Sequence, residues 1–150
     1  MIKKLIIGIS LILLIATGCS ITKKALTTEE FANIVKNQGM IVADVNEQFK
    51  DYGYIKEATV AANTEGWQIE FYVLDTKNDA KTMYNKNSIE FNKESTNSSS
   101  KIEVGNYKKE VLESSDYYMV LARVDNTLLY VKVPTKYKEK AKEIVNALEY

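Results

Sequence analysis

The stretch Trp67-Gln68-Ile69-Glu70-Phe71-Tyr72-Val73 alternates without a break. In an extended chain Trp67, Ile69, Phe71 and Val73 share one side, and Gln68, Glu70 and Tyr72 share the other. Period two in aromatic and β-branched residues predicts a strand with one buried face. It also fixes the register, because a slip of one residue would turn the whole apolar set toward water. Runs of similar character at 54–62, 102–112, 117–124 and 127–133 bring the expected sheet to about five strands. Asn63-Thr64-Glu65-Gly66 and Asp125-Asn126 read as hairpin turns, and Pro134 ends the last strand.

Helical signals lie between these runs. Thr27 followed by Glu30 forms a capping box, and Leu26 and Phe31 are spaced for a hydrophobic staple. Gly39 suits a left-handed stop. A weaker start at Asp44, with Glu47 after it, predicts a short helix or turn ending near Gly53. Asn78 or Asp79 caps a helix that runs to about Phe91, with Ala80, Met83 and Tyr84 inward. Thr135 caps a final helix whose stripe is Tyr137, Ala141, Ile144, Val145 and Leu148. Residues 94–101 are polar and serine-rich, which predicts a mobile loop. The order is helix, two strands, helix, three strands, helix. Hairpin connections then predict an α+β domain of two layers, an antiparallel sheet with helices on one face.

The first nineteen residues are of another kind. Lys3 and Lys4 precede an apolar run at 5–15, and Ala16-Thr17-Gly18 supplies small residues before Cys19. Basic, apolar, small is the order of a secretory signal. The run is short of the about 20 apolar residues that a membrane-spanning helix needs. Ala16-Thr17-Gly18-Cys19 resembles the lipobox of bacterial lipoproteins, with Ala16 where leucine is commonest. The resemblance implies cleavage between Gly18 and Cys19 and a diacylglyceryl group on the Cys19 thiol. Two acyl chains hold stably where one binds marginally, at ~0.8 kcal/mol for each buried methylene. The expected layout is a signal peptide at 1–18, a tether at 19–25 and a single domain at 26–150, held on the outer face of the cell membrane. The mature domain resembles small lipoproteins of Gram-positive bacteria.

Composition removes several kinds of chemistry. Cys19 is the only cysteine, so no intramolecular disulfide forms. There is no histidine, which rules out Ser-His-Asp and Cys-His arrangements and the usual zinc sites. The six glycines are scattered singly, without a phosphate-binding loop. Loss of the signal takes away Lys3 and Lys4 and no acid, leaving 18 basic against 20 acidic residues. That balance argues against a nucleic-acid partner. No catalytic residue, cofactor or metal is assigned.

What remains points to a binding or interaction protein of the envelope, with an envelope protein or a small ligand as partner. A surface hydrolase working through carboxylates alone, or an accessory protein of envelope assembly, are the alternatives. Glu70 and Asp75 are the acid pair for the first of these. Asp75, Lys77 and Asp79 hint at calcium but lack the rest of a loop motif. Ser98 and Lys101 match a Ser-x-x-Lys spacing inside a serine run, where the match carries no weight. The lysine-rich segment 136–142 reads as a solvated helix face. The candidate binding face is the side of the sheet turned away from the helices. The alternation places Glu70, Tyr72, Tyr117, Met119, Leu121, Arg123, Leu128, Tyr130 and Lys132 there. A face so rich in Tyr, Met and Arg suits an interaction site. Its competitor is a second core, formed if the first helix or the serine-rich segment folds over it.

Overall fold

A computed structural model describes residues 22–94 and 97–150. The expected signal peptide, with Gly18 and Cys19, and the start of the expected tether lie outside the described residues. The elements run α1 (Thr28–Asn37), β1 (Ile41–Asp44), a 3-10 turn (Asn46–Phe49), β2 (Ile55–Ala62), β3 (Gln68–Leu74), α2 (Lys77–Phe91), β4 (Ser98–Val104), β5 (Tyr107–Glu113), β6 (Tyr117–Val124), β7 (Thr127–Pro134), a 3-10 turn (Thr135–Tyr137) and α3 (Lys138–Ala147). The domain is α+β, as its hairpins implied, but its antiparallel sheet has seven strands in the order β1-β2-β3-β7-β6-β5-β4, not about five.

The two extra strands arise at opposite edges of the sheet. The run 102–112 is two strands, folded back at Gly105-Asn106, where Gly105 takes φ +57°. Its first strand begins at Ser98, inside the segment expected to be a mobile loop. A serine run has nothing to bury, yet an edge strand is held by backbone hydrogen bonds that any non-proline residue can make. Strand β1 is short, and it pairs with β2 from Ile41↔Ala62 to Asp44↔Thr59.

The first helix starts as its sequence dictates. The Thr27 hydroxyl accepts the Glu30 N–H at 3.1 Å, and a Glu30 carboxylate oxygen accepts the Thr27 N–H at 2.9 Å. Gly39 then adopts φ +80°. The second helix begins earlier than expected. Its N-cap is Thr76, which accepts the Asp79 N–H at 3.1 Å, so Asp79 sits inside the first turn.

Helices cover both faces of the sheet, which corrects the expectation of helices on one face. Helices α1 and α3 share one side with Trp67, Ile69, Phe71, Tyr118, Val120, Ala122, Val124, Leu129, Val131 and Val133. These are the inward positions that the alternation assigned. Phe31 of α1 stacks on Phe71 with centroids 4.7 Å apart and planes 10° apart. Helix α2 covers the other side, where Tyr72, Leu74, Ala80, Tyr84, Phe91, Leu112, Met119, Leu121 and Leu128 form a second core.

Topology forces this cover. Strand β3 lies mid-sheet and β4 at the far edge, beyond β7, β6 and β5. Four strand spacings are about 19 Å. The fifteen residues of α2 span about 22 Å. The chain crosses the sheet once between its two meanders, and α2 is the crossing.

Candidate functional site

The face assigned to binding is assembled as the alternation said, but beneath α2. Tyr72, Met119, Leu121 and Leu128 are buried, and Glu70, Tyr117, Arg123, Tyr130 and Lys132 form a half-buried rim. It is not an open interaction face. The Tyr72 hydroxyl donates to Glu70 at 2.5 Å, and its ring meets Phe49 edge-on at 5.4 Å. Burial and the Glu70 carboxylate together push the Tyr72 hydroxyl far above the usual phenol range. Tyr130 packs against Phe91 of α2 with centroids 5.1 Å apart. Lys132 pairs with Glu94 at 2.6 Å and lies 4.6 Å from the Tyr117 ring centre. Arg123 donates through Nη1 to the Asp125 carbonyl at 3.3 Å. The expected competitor, a second core, is what the structure forms, though neither α1 nor the serine-rich segment provides the cover.

The other candidates separate. Glu70 and Asp75 are five strand residues apart, about 17 Å, while paired acids of a glycosidase sit within about 9.5 Å. Glu70 is engaged by Gln68 Nε2 at 3.0 Å and by Tyr72, and Asp75 is exposed. Lys77 pairs with Asp125 at 2.6 Å, and Asp79 serves the start of α2. Among the described residues no group of acids is arranged to hold a metal ion. Ser98 and Lys101 differ by an odd number of strand residues and so point to opposite faces. The lysine-rich segment is ion-paired along α3. Lys138 meets Glu113 at 2.7 Å, Lys140 meets Glu143 at 3.0 Å, and Lys142 meets Glu139 at 3.5 Å.

Two features escaped the sequence. The first is Glu110, a carboxylate with 0% exposure in the middle of β5. Lys101 Nζ lies 2.8 Å from it, Asn92 Nδ2 donates at 2.9 Å, and Ser88 Oγ also donates. Burial works to raise its pKa, but the bonds from Lys101, Ser88 and Asn92 outweigh that and leave it below the usual carboxylate range. Its signal was a charge at a core slot between Lys108 and Leu112, legible only once β5 is separated from β4. The second is the tether, of which part lies on the domain. Lys23 N–H donates to Asn106 Oδ1 at 2.9 Å, and Asn106 Nδ2 donates back to the Lys23 carbonyl at 2.7 Å. The Lys23 ammonium sits 4.1 Å from the Tyr107 ring centre, and Ala25 and Leu26 pack on the core.

An open groove of about 490 Å³ runs between α1 and the β1–β2 edge, lined by Thr28, Ala32, Val42, Asp44, Glu57 and Thr59 among others. The Thr28 hydroxyl bonds Glu57 across it. Its acids and hydroxyls are those of a polar surface groove. No protein-family model, no curated protein and no solved structure matches the chain.

Proposed function

We propose that the chain is a lipid-anchored, extracytoplasmic binding or interaction protein of a bacterial cell envelope, joined to the outer face of the membrane through Cys19. The observation that carries this reading is the tetrapeptide Ala16-Thr17-Gly18-Cys19 after an apolar run, four residues before a segment pinned to the domain. Four residues reach at most about 14 Å. An acylated Cys19 would therefore keep the domain against the headgroups, a place for a protein that meets other membrane-bound partners. The separation of about 17 Å expected along the chain between Glu70 and Asp75, about twice what a shared substrate bond allows, weakens the hydrolase alternative. Recognition of an envelope protein or small ligand is the role proposed, through surfaces other than the covered sheet face.

Replacing Cys19 by Ala tests the anchor. The unsubstituted chain, expressed with radiolabelled palmitate, should carry label and run as the shorter, cleaved form. Cys19→Ala should lose the label and accumulate uncut. Equal processing and equal membrane association of the two would end the lipoprotein reading.

A further inference from the structure

Among the described residues strand β4 is an edge with no strand beyond it, and natural edges are normally guarded by shortness, proline, bulges or charge. The opposite edge, β1, is only four residues long. Strand β4 is seven residues long, contains no proline, and pairs with β5 without a register shift from Ser98↔Glu113 to Val104↔Tyr107. Its charges are paired within the chain but stay exposed at the edge, Lys101 with Glu110 at 2.8 Å and Glu103 with Lys108 at 3.0 Å. On its other face Ile102 is 51% exposed and Val104 39% exposed.

The hydrogen-bond phase of this edge follows from its neighbours. Strand β5 bonds to β6 through even-numbered residues, as the Asp125 N–H to Asn106 carbonyl bond of 3.1 Å marks at one end. The Ser114 N–H to Tyr117 carbonyl bond of 2.9 Å marks the other. Its odd residues therefore bond to β4, and in the β4–β5 register those partners are the even residues of β4. Ser99, Lys101 and Glu103 are left with backbone N–H and C=O groups directed outward.

We infer that β4 pairs antiparallel with β4 of a second copy of this chain, about a twofold axis at Ile102, making one continuous sheet across both copies. Charge separates this register from its two neighbours. Outward groups meet only when odd residues face odd residues. A centre at Lys101 sets lysine against lysine, and a centre at Glu103 sets glutamate against glutamate; like charges directly opposite destabilise a sheet. A centre at Ile102 sets Lys101 opposite Glu103 of the second copy. One row across the joint then reads Lys108, Glu103, then Lys101 and Glu110 of the other copy, with charge alternating at each step. On the opposite face Ile102 meets its own mate in a closely spaced, non-hydrogen-bonded pair, and Val104 meets the small Ser100. The half-exposed apolar residues of the edge thereby gain cover. Such a contact is isologous and closes on itself, so it stops at two copies. This inference does not depend on the lipid anchor.

Two differently tagged full-length copies, produced together and extracted in mild detergent, test it. Capture of one tag should bring down the other. Ile102→Glu, at an exposed position, should keep the circular dichroism of the unsubstituted protein and reduce co-capture at least tenfold. Ile102→Lys should do the same. Co-expression of the Glu and Lys variants should restore capture, because the two then face each other. Oxidation of membranes holding Ile102→Cys should give a covalent dimer absent from the unsubstituted chain. Ser98→Cys should not, since in this register the two copies of residue 98 lie about 27 Å apart. Co-capture unchanged by Ile102→Glu, cross-linking of Ser98→Cys as strong as that of Ile102→Cys, or capture of a different protein with no second copy would each overturn it.

Discussion

Leu121→Ala distinguishes a second core from an open face with one substitution. Leu121 has 0% exposure on β6, among Tyr84, Leu112, Met119 and Leu128. The change deletes three carbons. Transfer alone is worth about 0.8 kcal/mol for each methylene, or about 2.4 kcal/mol. A cavity term then adds about 24 cal/mol per Å³ of space left unfilled, and buried Leu→Ala changes fall at about 2–5 kcal/mol in total. A domain has about 5–15 kcal/mol to lose. On an exposed face the same change stays within about 0.5 kcal/mol.

Urea unfolding followed by two probes measures this. Trp67 is the only tryptophan, and it lies on the opposite face of the sheet, stacked on Tyr137 with centroids 5.8 Å apart. Its fluorescence reports the α1–α3 side, while far-ultraviolet circular dichroism reports the whole chain. Both cores rest on opposite faces of the same sheet. The variant should therefore move both midpoints down together, with an unchanged slope. A loss below about 1 kcal/mol, or a fluorescence midpoint that stays put while the dichroism shifts, would refute the claim that α2 completes one cooperative unit.

Phe71→Ala, which removes the ring stacked on Phe31, should cost about 3–5 kcal/mol, whereas exposed Gln68→Ala should be close to silent in the same melts. Glu110 has a folded-state pKa below its ordinary value of 4.5, so it stabilises the fold above that value and ceases to do so as pH falls through the depressed one. The stability gap between the unsubstituted chain and Glu110→Gln should accordingly be full at neutral pH and shrink in acid; a gap that does not change with pH would show that the carboxylate charge contributes nothing.

How far the sequence was legible depended on which interaction set each element. The faces of β3, β6 and β7 were readable because alternation is a local property. Thr27 and Glu30 were readable because a capping box closes within one turn. The start of strand β4 was not, because Ser98 and Ser100 join the sheet through backbone bonds to β5 that leave no mark on side-chain type. The α2 cover was half readable. Its own residues are mostly polar, with only Ala80, Tyr84 and Phe91 buried, so the helix looks like a solvated one. The signal lay instead in β6, where Tyr118 through Ala122 are all buried. A continuous apolar run of that kind marks a strand covered on both sides. Tyr, Met and Leu on the second face were the lining of a helix seat, and a candidate site drawn from them inherited that mistake.

The covered face shifts attention to the rim, and there the two proposals constrain each other. In a twofold antiparallel pair whose mates share a face, the axis stands perpendicular to the sheet. Lys23 is tied to Asn106 at the tip of the β4–β5 hairpin, and its ammonium lies over Tyr107 on the α1–α3 side. The axis carries that side of one copy onto the same side of the other. Both N-terminal segments would then leave the dimer toward one surface, as two anchors in a single leaflet require. Residue 105 of one copy faces residue 99 of the other, so the hairpin tips stand about 20 Å apart. Each Cys19, were it acylated as proposed, would have a reach of about 14 Å from Lys23, enough to meet the membrane without releasing the Asn106 clasp. A pairing that turned the copies face to back would send one anchor away from the bilayer. The proposed membrane attachment and the proposed β4 pairing therefore favour the same arrangement, although each can fail without the other.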